Sequence, residues 1–233
     1  MNALKRCLVL SVVCIAGSSM AMAQSGNRAM TVEESYLQQS VELIIIREQS
    51  RAASRDMKMV ALEYIGNAIE RGNSGEEVHS ALEHLGLEGI RNQSRESGRL
   101  INNFPDVRLK AATMLGQLGT PEARDILMTM LLAENEPMVF SEIIRSLGII
   151  GINDNDETAI AISFIVSRFD IVNPDNLLAF STLDAFERLA AANGGIVSAI
   201  TVGTIFRISE GNYIRPVRDR AKGILADWMS AAQ

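Results

Sequence analysis

The chain has 233 residues, of which 47% are hydrophobic and 21% are charged, and its formal net charge is −6 at pH 7. This acidic balance keeps a protein soluble and argues against nucleic acid or an anionic membrane surface as its partner. The sequence contains only two cysteines, Cys7 and Cys14. A disulfide-based scaffold is therefore not expected.

Residues 1–23 have the three parts of a signal peptide in the required order. Lys5 and Arg6 form a short basic start, and the apolar run 8–17 is too short to span a membrane as a mature helix. Residues 21–23 read Ala-Met-Ala, which offers a cleavage site with small residues. We expect export, with the periplasm as the main destination and the medium or the envelope surface as alternatives.

Cleavage would leave a mature chain that begins near Gln24. Both cysteines are then lost, so the mature chain forms neither disulfides nor thiolate metal sites. Loss of Lys5 and Arg6 leaves 20 basic and 28 acidic residues, a net charge of −8. No second apolar run is long enough for a transmembrane helix, so an integral membrane protein is not predicted.

A polar leader at residues 24–30 precedes the first predicted helix, residues 31–53. Thr31 and Glu34 have the spacing of a capping box at its start. This helix lacks the repeat pattern found further along the chain. We interpret it as an N-terminal cap, because the terminal unit of a repeat array needs a polar outward face.

Three consecutive isoleucines in this helix leave a second role open. Ile44, Ile45 and Ile46 cover more than one helix face, so they could dock a partner or a second copy of the chain. On this alternative the protein is a self-assembling structural subunit of the envelope. Its mass in solution should then depend on concentration, and Ile45→Glu should abolish that dependence.

The first predicted hairpin, residues 55–85, is followed by an insertion at residues 86–103. If the insertion is helical, three arginines spaced i, i+4 and i+8 line one of its faces: Arg91, Arg95 and Arg99. Such a row could bind a carboxylate or a phosphate on a small molecule or a glycan. The alternative is a solvated linker, since the segment is rich in Asn, Ser and Gly.

Residues 104–134 contain a complete helical hairpin. Its first helix has apolar residues on one face: Val107, Ala111, Met114, Leu115 and Leu118. Gly119 is typical of a helix end, and Thr120 and Pro121 are typical of the start of the next helix. That second helix also has one apolar stripe: Ala123, Ile126, Leu127, Met130 and Leu131. One hairpin cannot bury both faces, so it must stack on copies of itself.

The same pattern returns at an offset of 32 residues and predicts a third hairpin at residues 135–170. The matching positions are Val139, Ile143, Leu147, Gly148 and Gly151. Looser matches predict a fourth hairpin at residues 173–209 and a closing helix at residues 213–230. The whole of residues 31–233 is then one repeat domain.

Residues 107–123 read V-R-x-x-A-A-x-x-L-G-x-L-G-x-P-E-A. This stretch resembles the HEAT repeat, in particular the short HEAT-like variety first associated with bilin lyases and found in many bacterial proteins. The resemblance is strong over residues 104–151 and weaker over 56–86 and 174–228. It implies an all-α, armadillo-like solenoid of about four hairpins, and a protein partner, because HEAT arrays usually scaffold or bind other proteins.

The sequence offers no constellation for catalysis, a cofactor or a metal. His79 and His84 are spaced i, i+5 and do not share a helix face. The acidic turn at residues 151–157 lacks the glycine and the final glutamate of a calcium loop. There is no G-x-S-x-G sequence, glycine-rich phosphate loop or cysteine nucleophile. A non-enzymatic protein is predicted; lyase activity is implied by the resemblance alone, and export would separate it from cytoplasmic chromophores.

The predicted function is that of an exported interaction scaffold. In HEAT arrays the second helix of each hairpin usually lines the concave surface, which directs attention to residues 121–133. The side chains that point away from its packing stripe form the candidate partner site: Arg124, Asp125, Met128, Thr129 and Leu132. Met128 and Leu132 would suit an adaptable binding patch, unless both pack on the next hairpin.

Overall fold

The computed structural model describes residues 31–170, 174–196 and 198–231. The predicted signal peptide, residues 1–23, and the leader, residues 24–30, lie outside the described residues. The described residues contain ten α-helices and one short β-hairpin: α1 Val32–Ser50, α2 Arg55–Glu70, α3 Glu76–Gly86, β1 Arg95–Glu96, β2 Arg99–Leu100, α4 Pro105–Leu118, α5 Pro121–Ala133, α6 Pro137–Ile150, α7 Glu157–Asp170, α8 Asn176–Asn193, α9 Ala199–Glu210 and α10 Arg215–Ala231.

Two compact units divide the chain, residues 1–40 and residues 41–233. In the described part of the first unit, Glu34 N–H donates to Thr31 Oγ1 and Thr31 N–H donates to the Glu34 carboxylate, at 3.2 and 2.9 Å. This reciprocal pair is the capping box expected at the start of α1. The second unit is a row of helical hairpins, which confirms the predicted all-α solenoid.

The hairpins follow from the sequence pattern around residues 104–134. Gly119 ends α4 in the left-handed region at φ 67°, where glycine has no Cβ to clash. Thr120 then accepts a hydrogen bond from the Ala123 N–H at 3.1 Å, and Pro121 is the first residue of α5. These three residues therefore reverse the chain between the two helices, as predicted.

The first helices of successive hairpins, α4, α6 and α8, pack closely because small residues stand at the contacts. A Cβ added to Gly116 in α4 would lie 2.8 Å from the Cβ of Ser146 in α6. A Cβ added to Gly148 in α6 would lie 2.7 Å from the Cα of Ala185 in α8. Real side chains do not approach so closely, so glycine sets the distance between these helices.

Buried charges link the elements of the second hairpin. Arg108 in α4 donates from Nε and Nη2 to the carboxylate of Glu134, just after α5, at 2.7 and 3.0 Å. Its Nη1 donates to the Glu88 carbonyl and to Asn103 Oδ1 at 3.1 and 2.9 Å. The side chains of Arg108 and Glu134 are 1% and 0% exposed, so the pair is removed from water.

The position of Arg108 is used differently in the neighbouring hairpins. In the first hairpin it is taken by Lys58, which is buried and lies 3.2 Å from Glu88. In the third hairpin it is taken by Phe140, whose ring packs edge-on against Phe169 with 4.7 Å between the centroids. The same place in the repeat therefore holds an ion pair in two hairpins and an aromatic pair in the next.

The insertion is an ordered β-hairpin and contains no helix, so the predicted row of arginines on a helix face does not form. Arg95 pairs with Leu100 and Glu96 with Arg99 across the two strands. Ser97 and Gly98 make the turn with φ values of 50° and 80°. A two-residue β-hairpin with both central φ values positive favours glycine, and this Ser-Gly pair outweighs the helical spacing of the arginines.

Candidate functional site

The five residues of the predicted partner site lie on α5, but they do not share one environment. Asp125 and Leu132 are exposed, and Thr129 is partly buried and donates to the Asp125 carbonyl at 3.0 Å. Met128 is partly buried against the core. Arg124 is engaged in the protein itself. Leu132, at 64% exposure, is the apolar member that remains available.

Arg124 links the second helices of two hairpins. Its Nη2 donates to Glu157 at the start of α7 at 2.6 Å, and its Nε donates to Thr158 Oγ1 at 3.2 Å. Burial lowers the pKa of Arg124, and hydrogen bonds to Glu157 and Asp125 raise it by more. Arg124 therefore stabilises the stacking of α5 on α7.

The second helices also present apolar side chains that the sequence analysis did not select. Ser163 in α7 donates to Thr201 in α9 at 3.3 Å, which brings these helices together. The next residues along each helix, Phe164 and Val202, are exposed, and Phe206 one turn further along α9 is 60% exposed. Together with Leu132, these residues define what we call the second-helix surface. Only an alignment of the third and fourth hairpins on the second would have revealed them.

The three arginines of the insertion are separated by its hairpin. Arg95 donates to the Gly98 carbonyl and to the Gln93 side chain at 3.2 and 3.1 Å, within the insertion. Arg99 is opposite Glu96 on the other strand. Arg91 lies before the strands and faces a cleft between the insertion and the first hairpin. Of the three, the structure therefore places Arg91 at this cleft.

That cleft has a volume of about 470 Å³ and is lined mainly by polar side chains from α2, α3, the α1–α2 connection and the insertion. At its floor, Lys58 Nζ donates to the Ser50 carbonyl at 2.9 Å and lies 3.2 Å from Glu88 Oε2. Asn102 donates to Glu88 Oε1 at 2.8 Å. These buried groups form the connected polar floor of the cleft. We call the whole cleft the insertion cleft.

Asn102 orders the insertion around this floor. Its Oδ1 accepts from the Ser94 N–H at 2.8 Å and its Nδ2 donates to the Asn92 carbonyl at 2.6 Å. Gly89 approaches the Asn102 backbone so closely that a Cβ would lie 2.4 Å from the carbonyl oxygen. The buried amide therefore orders the insertion internally, and the ion pair of Glu88 with Lys58 in α2 links the insertion to the first hairpin.

His84 stands at the side of the insertion cleft, 3.5 Å from Glu88 Oε2. Burial lowers the pKa of His84; Glu88 raises it, and Lys58 and Arg51 lower it further. In the part of the chain that the structure describes, no group of three or more His, Cys, Asp or Glu residues is placed to hold a metal ion. The cleft is a charged polar site without the ligand set of a metal centre.

The three consecutive isoleucines of α1 have three different environments. Ile46 is fully buried, Ile45 is partly buried and Ile44 is exposed. Val41, three residues before Ile44 and on the same side of the helix, is also exposed. Of the three isoleucines, Ile44 is therefore the one whose side chain is exposed to a second copy or to another partner, with Val41 beside it.

Residues 99–168 match a family described as HEAT repeats. This match and the row of hairpins support a HEAT-like repeat protein. The matched region begins at β2 and reaches into α7, so it covers the second and third hairpins. Comparison with curated proteins gave no match for the chain. No helix in the described ranges combines the length and the hydrophobicity that a membrane span requires.

Proposed function

We propose that this protein is an exported, non-enzymatic scaffold that binds another protein through its second-helix surface. HEAT repeats commonly mediate protein–protein interactions, and residues 99–168 match that family. The observation that carries the proposal is the exposure of large apolar side chains on the second helices, with Leu132 at 64%, Phe164 at 63% and Phe206 at 60%. Apolar residues grouped on a surface are typical of interaction sites.

The remaining members of the predicted site supply the polar surroundings of such an interface. Asp125 and Thr129 lie about two turns and one turn before Leu132 along α5, next to the partly buried Met128. Methionine adapts to irregular partner surfaces, and aromatic anchors contribute much of the binding energy at interfaces. We therefore expect Phe164 and Phe206 to dominate affinity, with the α5 residues setting orientation.

In-cell photo-crosslinking tests this proposal. A photoreactive phenylalanine analogue at Phe164 should give one discrete protein adduct, and Phe206→Ser should abolish it. The matched control carries the probe at Leu177, an exposed apolar residue on the first helix α8. An equal adduct from Leu177, or none from Phe164, contradicts binding at the second-helix surface.

Export is tested separately by the mature N-terminus. Mass spectrometry of the protein from its native cells should give a chain that begins at Gln24 and fractionates with the periplasm. A protein that retains Met1 and stays in the cytoplasm contradicts the localisation but leaves the interaction surface intact. The two parts of the proposal can therefore fail independently.

Self-assembly through α1 is a second candidate, favoured by the exposure of Val41 and Ile44 at 55% and 52%. Sedimentation should then show a mass that rises with concentration, and Ile44→Glu should abolish the rise. Ile44 replaces Ile45 as the test position because Ile45 is partly buried. Ile149→Glu, at an exposed site on α6, is the control that should leave the mass unchanged.

A further inference from the structure

The insertion cleft carries a concentration of positive charge in an acidic protein. Arg51, Lys58 and Arg91 line it, against the single carboxylate of Glu88. The excess is two positive charges when His84 is neutral. A site that is opposite in charge to the rest of the protein attracts anions locally, because nearby charges outweigh distant ones screened by salt.

The two arginines at the mouth of the cleft have guanidinium groups available for a ligand. Arg51 and Arg91 are both exposed. Within residues 31–170, 174–196 and 198–231, neither guanidinium has a hydrogen-bond or ion-pair partner. Arg124 and Arg108, by contrast, are committed to carboxylates of the protein. A guanidinium presents paired donors that match a carboxylate or phosphate.

The floor of the cleft is built to accept an anion without leaving a charge unpaired. The Lys58 ammonium has three donors; it uses one on the Ser50 carbonyl and forms an ion pair with Glu88 at 3.2 Å. Glu88 is held by Asn102 and Lys58, so its charge is already compensated. These groups are buried, and electrostatic interactions are stronger there than in water.

The size and walls of the cleft define the class of ligand. A volume of about 470 Å³ lies in the range of small-molecule sites. The walls contributed by the insertion are the amide and hydroxyl residues Asn92, Gln93 and Ser94. We propose that the insertion cleft binds a small polar organic dianion, a phosphate monoester or a dicarboxylate, between Arg51 and Arg91 at the mouth and Lys58 at the floor.

This site is independent of the second-helix surface, and it differs from the row of arginines expected on a helix. Arg91 is common to both, whereas Arg95 and Arg99 do not line the insertion cleft. Arg99→Gln is therefore a matched control for Arg91→Gln, because both residues are exposed arginines of the same insertion. Neither substitution removes a buried group, and circular dichroism verifies that both variants remain folded.

Isothermal titration calorimetry at low ionic strength provides the test, with glucose 6-phosphate, malate and uncharged glucose as probes. We expect saturable binding of one or both anions and none of glucose, with the preferred anion identifying the ligand as a phosphate or a carboxylate. Arg91→Gln and Arg51→Gln should each weaken binding about tenfold or more, through loss of a charge-assisted contact, while Arg99→Gln leaves it unchanged.

Three results would overturn the proposal. The first is the absence of saturable binding of either anion up to about 10 mM. The second is equal weakening by Arg91→Gln and Arg99→Gln, which indicates diffuse attraction to a basic segment and no defined site. The third is equal binding of glucose and glucose 6-phosphate, which shows that the anionic group is not recognised.

Discussion

Removing one partner of the buried Arg108–Glu134 pair should strongly destabilise the protein. Arg108→Met keeps an elongated side chain but leaves the Glu134 carboxylate buried, with the N–H groups of Asn135 and Glu136 as its remaining donors. Breaking a buried ion pair in this way costs about 3–5 kcal/mol. Because Arg108 also loses its bonds to the Glu88 carbonyl and Asn103, we expect the upper part of that range.

Urea unfolding followed by circular dichroism measures this effect. With a slope of about 2 kcal/mol per molar urea, a loss of 4–5 kcal/mol lowers the midpoint by about 2 M. The double variant Arg108→Met, Glu134→Leu should recover at least half of the loss, since an apolar pair leaves no unpaired charge. Asp106→Asn, which breaks the exposed contact with Arg55, should cost only about 0–1 kcal/mol.

Two outcomes would refute this reasoning. A midpoint for Arg108→Met within about 0.5 M of the wild type would mean that water reaches Glu134 in the variant. A double variant no more stable than the single one would mean that the lost hydrogen bonds, and not the unpaired charge, account for the cost. The first result would remove the buried pair from the interactions that hold the hairpins together, and the second would assign its contribution to hydrogen bonds alone.

Two further substitutions test close packing and pH dependence. Gly148→Ala places a Cβ 2.7 Å from the Cα of Ala185 and should destabilise the protein by about 1–3 kcal/mol, partly offset by the higher helix propensity of alanine. In Gly223→Ala the new Cβ meets nothing within 4 Å, so this control should be more stable by about 0.5–1 kcal/mol. Equal shifts of the two melting temperatures in thermal unfolding would contradict this prediction. Burial lowers the pKa of His84, with Glu88 opposing the shift and Lys58 and Arg51 adding to it, so the unfolded chain binds more protons below about pH 6.5. The urea midpoint of the wild type should therefore fall as the pH drops from 7.5 towards 5.5, and the midpoint of His84→Gln should fall less over the same range. Identical pH profiles of the two proteins would exclude this effect.

The fold was accessible from the sequence because local signals and apolar periodicity agree. The chain reversal between α4 and α5 is marked by the conformational preferences of Gly119, Thr120 and Pro121. The apolar stripes of the two helices specify which of their faces are buried. The capping box of Thr31 and Glu34 is equally local. Such short-range rules need no knowledge of distant residues, so they identified the hairpins correctly.

The sites were harder to predict because they depend on contacts between distant residues. The i, i+4, i+8 spacing of Arg91, Arg95 and Arg99 predicts one helix face, but the Ser97-Gly98 pair decides the conformation by forming a tight β-turn. Lys58 takes the place of Arg108 in the first hairpin, but its partner Glu88 lies in the insertion, whose fold the repeat pattern does not predict. Burial of Met128 and the pairing of Arg124 with α7 likewise depend on how the hairpins stack.

The change from Arg108 to Phe140 at one place in the repeat restricts how this array can evolve. Repeat arrays often gain or lose units by recombination between similar segments. Here, a deletion that joined the first half of the second hairpin to the second half of the third would set Arg108 against Phe169 and leave a buried guanidinium without a carboxylate. A deletion at this junction is therefore disfavoured by the side-chain chemistry of the second and third hairpins.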